Sequence, residues 1–211
     1  MTATRFIVCR HGETAWNAQH RIQGHLDSPL NEEGLAQALL VGECLGHEAF
    51  DVLYSSDLGR ALQTAQPIAD RSSREIVREP RLRERHLGSF QGLTGAECER
   101  AYPTEYALFK SRDPAHGPPG GESVRQIFER VSAVFTNLAG KHPGQTLVVV
   151  THGGVLDSLY RLVNGVPLEQ VRDFPIFNAS INIVRYESGR WLLERWGDIS
   201  HLTRDAALDD F

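Results

Sequence analysis

The chain has 211 residues, of which 41% are hydrophobic and 23% are charged, and its formal net charge is −5 at pH 7. This length and composition are typical of one globular domain, and the negative balance argues against nucleic acid as the main partner. The three cysteines lack the spacing of a disulfide framework or a zinc site, and no stretch resembles a signal peptide or a membrane span. We therefore expect a cytoplasmic protein.

The first predicted element is a strand over residues 5–10, an apolar run that leads directly into Arg10, His11 and Gly12. One interpretation is an ordinary strand that ends in a polar loop. The other is a strand that delivers a reactive histidine to the rim of a sheet. The rest of the chain has to distinguish between the two.

The chain then alternates helical and strand patterns and closes with a hairpin. The helical pattern bends near Pro67 and breaks at Pro103. Apolar periodicity and capping residues predict helices at 31–46, 58–71, 94–111, 123–142 and 155–165. Short apolar runs predict strands at 51–56, 75–80 and 145–152, followed by a hairpin of strands at 180–188 and 190–198. The face of the first helix expected to meet the core consists of Leu35, Ala38, Leu39, Gly42 and Leu45.

This alternation predicts an α/β fold, a three-layer sandwich with a mainly parallel sheet, helices on both faces and an antiparallel edge strand. No repeat or clean linker interrupts it, so we expect a single domain over residues 1–211 with a small helical cap around residues 86–120. Aromatic side chains of this cap either line the floor of a pocket or simply pack together; they are Phe90, Tyr102, Tyr106 and Phe109.

Polar residues collect where the predicted parallel strands end, which is the edge at which open α/β sheets bind ligands. Two of these strand ends are His-Gly corners, where glycine lets the backbone turn sharply beside a ligand. In chain order, the residues that follow the strands are Arg10-His11-Gly12, Arg60, Glu84 and Thr151-His152-Gly153-Gly154. The pairing of the two corners favours the reactive-histidine interpretation.

Competing chemistries are disfavoured by what the sequence lacks. No P-loop, dinucleotide-binding, zinc-protease or serine-hydrolase motif is present. A metal site could be assembled from His11, His152 and Glu84, but Arg10 and Arg60 beside it would repel a divalent cation and suit a phosphate dianion. We therefore expect a phosphate ligand, with neither a metal ion nor an organic cofactor.

Six ordered segments, which together span nearly the whole chain, resemble the histidine phosphatase superfamily, the phosphoglycerate-mutase-like group. They are RHGETAWN at 10–17, IQGHLDSPLNEEG at 22–34, SSDLGRALQTA at 55–65, ERHLGSFQG at 84–92, GGES at 120–123 and THGG at 151–154. An Arg-His-Gly tripeptide alone would be weak evidence, whereas six segments in the same order are strong evidence.

The resemblance implies that His11 is a nucleophile that accepts the phosphoryl group as phosphohistidine, and that Glu84 is the proton donor. Neighbouring arginines would favour the neutral, nucleophilic imidazole. Arginines also favour an ionised Glu84, so burial or the substrate phosphate has to offset them. The phosphate and substrate contacts that the resemblance implies come from Arg10, Arg60, His152, Asn17, Gly153, Gln23 and Gly24.

The group contains both phosphatases and mutases, and the departures in this chain favour hydrolysis. Mutases of the group usually have a tyrosine where Leu87 stands, and a lysine soon after it, whereas the next lysine here is Lys110. We expect a histidine acid-type phosphatase that acts on small phosphomonoesters such as sugar phosphates, sugar acid phosphates, phosphoserine or α-ribazole phosphate. A phosphoglycerate mutase is the alternative, and a non-catalytic phosphate-binding protein is a remote one. The sequence does not predict an oligomeric state.

Overall fold

The computed structural model describes residues 2–111, 113–202 and 209, and these form one six-stranded sheet. Its strands are β1 Thr4–Arg10, β2 Val52–Ser55, β3 Ile76–Arg78, β4 Thr146–Thr151, β5 Ile181–Glu187 and β6 Arg190–Asp198. The order across the sheet is β3-β2-β4-β1-β5-β6, in which the first four strands are parallel and the last two join as antiparallel strands. The predicted parallel sheet with an antiparallel edge is confirmed.

The described residues also form seven α-helices. They are α1 Ala15–Ala18, α2 Glu32–Gly46, α3 Gly59–Ser72, α4 Gly95–Ala101, α5 Pro103–Lys110, α6 Val124–Lys141 and α7 Gly153–Asn164. Helix α2 is capped by Asn31, whose side chain accepts from Gly34 N, and Ser123 caps α6 in the same way. Helix α3 continues through Pro67. The short helix α1 was not predicted, because four residues cannot show a helical period.

Side chains that alternate along the central strands build two cores, one on each face of the sheet. Phe6, Val8, Leu147 and Val149 pack with helices α6 and α7 on one face, whereas Ile7, Cys9, Val148 and Val150 pack with α2 and α3 on the other. Helices therefore cover both faces, as predicted. In the part of the chain that the structure describes, none of these helices combines the length and the apolar character needed to span a bilayer.

The predicted core face of α2 is partly wrong. Leu35 and Leu39 are exposed, at 48% and 52% of their surface. The reason is that small residues let the backbone of α2 approach its neighbours: a Cβ atom on Gly42 would lie 2.6 Å from Pro67 Cβ of α3, and one on Gly34 would overlap the Glu13 carbonyl oxygen. The residues that α2 does bury are Gly34, Gln37, Ala38, Val41, Gly42 and Leu45.

The same close approach joins α2 to the chain that follows β1. A Cβ atom on Gly12 would lie 2.5 Å from the carbonyl oxygen of Gly34, which is closer than side-chain carbons approach backbone atoms. Gly12 and Gly34 therefore bring two stretches of backbone into direct contact, one of them next to His11.

The aromatic residues between β3 and α6 pack around Phe90, which is fully buried. Its ring centroid lies 5.8 Å from that of Tyr102, 5.7 Å from Tyr106 and 5.5 Å from Phe109. These contacts favour the packing interpretation of the four rings over a pocket floor. The single domain over 1–211 and the cap around 86–120 stay predictions.

Candidate active site

The register between β1 and β4 brings the two His-Gly corners together. Arg10 pairs with Thr151 at the ends of these parallel neighbours, so the next residue of each strand leaves the sheet at the same edge. His11 N still donates to Thr151 O, at 2.9 Å. The imidazoles of His11 and His152 are both buried, with ring centroids 5.1 Å apart and planes inclined at 59°.

The His11 ring is oriented by its own backbone. Its Nδ1 lies 2.7 Å from the carbonyl oxygen of Gly12, and because a carbonyl oxygen only accepts, Nδ1 is the protonated nitrogen. In the neutral ring, the lone pair is then on Nε2. The amide of Gly12 donates in turn to Thr64 Oγ1 of α3, at 3.0 Å, which fixes the corner against that helix.

Arg60, the second residue of α3, is 1% exposed. Its Nε lies 3.3 Å from His11 Nε2. Its other nitrogens donate to Gly24 O at 2.7 Å, to Leu26 O at 3.1 Å and to Asp27 Oδ1 at 3.2 Å. The guanidinium is thus held on its far side, with Nε directed at the histidine.

Arg10 and Ser56 complete the rim formed by β1 and β2. Arg10 is buried, and its NH1 donates to Ile176 O at 2.6 Å. Ser56 follows β2 and its Oγ lies 2.8 Å from His152 Nε2. His152 Nδ1 is buried and has no hydrogen-bond partner among the described residues.

Glu84 reaches the same edge from the loop after β3. Its two carboxylate oxygens lie 3.0 and 3.1 Å from the donating amide of Gly154, and Oε1 also accepts from Arg85 N at 2.7 Å. Gly154 stands in the first turn of α7, which begins directly after its N-cap residue, His152. A Cβ atom on Gly154 would collide with this carboxylate. His152 therefore caps α7, and the first turn of this helix anchors Glu84.

The surroundings favour neutral imidazoles at both corners. Burial lowers the pKa of His11 well below its usual 6.5, and the charges of Arg60 and Arg10 lower it further, against the opposing effect of the Gly12 carbonyl. Burial also lowers the pKa of His152 well below 6.5, with contributions from Arg60, His11 and Arg10. At neutral pH the site thus combines two arginine cations with two uncharged, hydrogen-bonding rings.

We expect this arrangement to make stability fall in mild acid. Below the usual histidine pKa of 6.5, the unfolded chain binds a proton on each ring while the folded chain does not. The free energy of unfolding then falls by roughly 1.4 kcal/mol per pH unit for each histidine, until the pH reaches the depressed folded-state pKa. Above that window the two histidines contribute no pH dependence.

Urea unfolding measured at steps between about pH 7.5 and 5 tests this expectation. The His152→Gln variant is the control, because it removes one of the two titrating rings and should show a shallower slope. An identical slope in the variant and the unaltered chain would contradict the assignment of the pH dependence to this site.

The other residues implied by the resemblance lie on the segments that surround the corners. Asn17 is buried in α1, where its Oδ1 accepts from Thr14 N at 2.9 Å. Gln23 is buried, and its Oε1 has no partner among the described residues. Gly24 has φ +57 and supplies the carbonyl that binds Arg60, while Gly153 opens α7.

The structure adds site residues that sequence reasoning missed. His25 Nε2 lies 2.8 Å from the Glu84 carbonyl oxygen, and its ring centroid is 4.8 Å from that of His86. Its position directly after Gly24 was an available signal. The contacts of Ser56 and Gly154 had no such signal, because they depend on side-chain geometry across the sheet. Among the described residues, no three His, Cys, Asp or Glu side chains are grouped as metal ligands.

Comparisons with known proteins agree with this geometry. The family model described as histidine phosphatase superfamily (branch 1) matches residues 6–199. Two Arabidopsis thaliana proteins are each 42% identical. One, named phosphoglycerate mutase-like protein 4, aligns over 93% of this chain and 86% of its own length. The other, named metal-independent phosphoserine phosphatase, aligns over 95% and 84%. The solved structure of Bacillus stearothermophilus YhfR superposes with a TM-score of 0.89 at 32% identity, covering 95% of this chain and 100% of that one.

Proposed function

The chain belongs to branch 1 of the histidine phosphatase superfamily, and from that membership we propose that it hydrolyses small phosphomonoesters through a phosphohistidine on His11. The observation that carries this proposal is the His11 ring itself. Its Nδ1 is bound to the Gly12 carbonyl, which leaves the Nε2 lone pair beside Arg60 Nε, at 3.3 Å. A neutral nitrogen nucleophile next to a fixed cation suits attack on a phosphate dianion.

In the first step the substrate phosphate lies between Arg10, Arg60 and His152. His11 Nε2 attacks phosphorus and forms the N–P bond, while the bond between phosphorus and the ester oxygen breaks. Glu84 gives its proton to the departing oxygen, so the alcohol leaves uncharged. The arginines neutralise the charge on the transferring phosphoryl group, which is most of what this reaction requires of a protein.

In the second step Glu84, now a carboxylate, takes a proton from a water molecule as that water attacks the phosphohistidine. The N–P bond breaks, inorganic phosphate forms, and the neutral imidazole is restored together with the protonated Glu84. The position of Glu84 supports both duties, because the Gly154 amide holds its carboxyl group in the helix turn that follows His152. No metal ion takes part in either step of this proposal.

For the finer assignment we propose a cytoplasmic histidine acid-type phosphatase rather than a mutase. A mutase has to retain a phosphorylated acid while the phosphohistidine is reused. Leu87 and the lack of a lysine before Lys110 leave fewer polar groups for that task. Phosphoserine is the first substrate to test, because a relative that covers nearly the whole chain carries that activity in its name.

The test is a panel of phosphomonoesters that contains phosphoserine, 3-phosphoglycerate, sugar phosphates and α-ribazole phosphate, assayed with EDTA and with orthovanadate. We expect phosphate release from at least one ester, unchanged by the chelator and inhibited by the anion. Loss of activity in EDTA that returns with a divalent cation would overturn the metal-independent mechanism. A coupled assay that shows isomerisation of phosphoglycerate faster than phosphate release would establish the mutase instead.

A further inference from the structure

The backbone just before β5 crosses behind the His11 corner. Two donors from this segment reach the same carbonyl oxygen: Asn178 Nδ2 lies 3.2 Å from His11 O, and Ala179 N lies 3.2 Å from it. Ala179 has φ +55, a left-handed conformation that a non-glycine residue adopts only when its surroundings hold it there. The segment is therefore held in the conformation that directs both donors at His11.

Building on the proposed role of His11, we propose that Asn178 is a positioning residue for the nucleophile: its side-chain amide fixes the carbonyl of the His11–Gly12 peptide, which directly precedes the Gly12 carbonyl that orients the imidazole. The His11 amide already donates to Thr151 O on one side. Asn178 and Ala179 hold the carbonyl on the other side. The residue that carries the reacting nitrogen is thus bound on both flanks.

The orientation of the ring depends on the peptide that follows this one. His11 Nδ1 donates to the carbonyl oxygen of the next residue, Gly12, at 2.7 Å. Because Gly12 joins the two peptides, a rotation of the His11–Gly12 peptide would displace that acceptor and turn Nε2 away from Arg60. Displacement of a reacting atom by about 1 Å can cost about a hundredfold in rate, so the hydrogen bonds to His11 O are expected to matter for the chemical step.

Asn178 is suited to this role because it is fully buried. Only one of the two orientations of its amide group can form a hydrogen bond with His11 O. Nδ2 has to point at His11 O, because an amide oxygen there would face another acceptor. Its Oδ1 has no hydrogen-bond partner among the described residues. The bond to His11 O is therefore the contact that the structure gives for this buried side chain.

Asn182 provides a matched control on the same sheet. It is also a buried asparagine, and its Nδ2 also donates at 3.2 Å to a β1 carbonyl, that of Val8. The carbonyl that it holds lies three residues before His11, and its side chain also contacts Ser180 and accepts from Gly197 N at 2.8 Å. Replacing either asparagine by alanine removes a buried amide, but only Asn178→Ala removes a donor to His11 O.

The experiment compares Asn178→Ala and Asn182→Ala for kcat, KM, inhibition by orthovanadate and thermal unfolding. We expect Asn178→Ala to lower kcat by about 10- to 100-fold while KM and the orthovanadate inhibition constant change less than about threefold. Asn182→Ala should unfold at a lower temperature yet keep its kcat. Unchanged kcat in Asn178→Ala, or an equal loss of kcat in both variants, would overturn the proposal.

Two further variants keep the outcomes separate. If Asn178→Ala does not fold, Asn178→Leu decides: its side chain has a similar branched shape but no donor for His11 O, so kcat should fall by about the same 10- to 100-fold. Full activity in Asn178→Leu would overturn the proposal. His11→Ala, measured in parallel, tests the proposed function itself. If His11→Ala is active, His11 is not the nucleophile and the proposed function is wrong. If His11→Ala is inactive while Asn178→Ala is unimpaired, only the positioning role of Asn178 is wrong.

Discussion

Replacing His11 by alanine should lower kcat for phosphomonoester hydrolysis by at least about four orders of magnitude. The variant loses the nitrogen that forms the N–P bond, and no other side chain presents an unprotonated ring nitrogen next to Arg60 Nε in the described site. The variant should also fail to form the acid-labile phosphoenzyme that the unaltered chain accumulates when it is mixed with substrate and quenched in base. Rapid-quench measurement of protein-bound phosphate checks this directly.

The matched control is His47→Ala. His47 caps the far end of α2 and is exposed, which places it about 20 Å from Gly34 along the helix axis. Its loss should leave kcat within about twofold of the unaltered value. Comparable activity in His11→Ala and His47→Ala would show that His11 is not the nucleophile.

Replacing Arg60 by alanine is expected to lower kcat/KM by about a thousandfold. Its buried guanidinium lies against His11 and is fixed by Gly24 O and Leu26 O, so it needs no reorganisation when a phosphate binds. Arg60→Lys should recover part of the loss, because a lysine supplies the charge without the planar fork of donors.

Arg60→Ala also carries a pH signature that a loss of folding would not produce. The charge of Arg60 is the second largest cause that lowers the pKa of His11, after burial. Without it, the pKa of His11 rises and more of the imidazole is protonated in mild acid, so the acidic limb of kcat/KM should move to higher pH. A reduced rate with an unmoved acidic limb would contradict the electrostatic part of the argument.

The control for this variant is Arg81→Ala. Arg81 precedes Glu84 in the segment after β3, but its side chain is 45% exposed and pairs with Glu79 at the surface. Such exposed pairs contribute little to stability. Its removal should leave both the rate and the pH profile unchanged, which separates the loss of a cation at the site from the loss of any arginine nearby.

The layers of the fold could be predicted because their signals are local and repetitive. The run at 145–152 is apolar at its central positions 147–150, as expected of a central strand, and it became β4 with neighbours on both sides. The predicted face of α2 was right at Ala38, Gly42 and Leu45 and wrong at the two leucines, because helical periodicity counts large apolar residues. Leu35 and Leu39 are exposed because Gly34 and Gly42 lie on the buried face of the helix and let that face pack closely against its neighbours.

The site divides in a similar way. His11 and His152 could be placed together from topology, since both follow parallel strands that proved to be adjacent. The supporting contacts could not be predicted. Asn178 meets His11 across 167 positions of sequence, and it does so through a residue in a left-handed conformation that no local pattern indicates. The direction of a strand predicts at which edge of the sheet a residue lies. The hydrogen-bond partners of that residue come from loops distant in sequence, which the strand pattern does not predict.

The contact of Gly12 with Gly34 has a consequence for how this protein can change under selection. Backbone meets backbone there, so neither position offers a side chain whose exchange could adjust the neighbourhood of His11 by small increments. We expect substitutions in α2 to be tolerated instead at its outward leucines, Leu35 and Leu39, which are exposed. Libraries built to diversify this protein should therefore spare the two glycines and sample positions 35 and 39 freely.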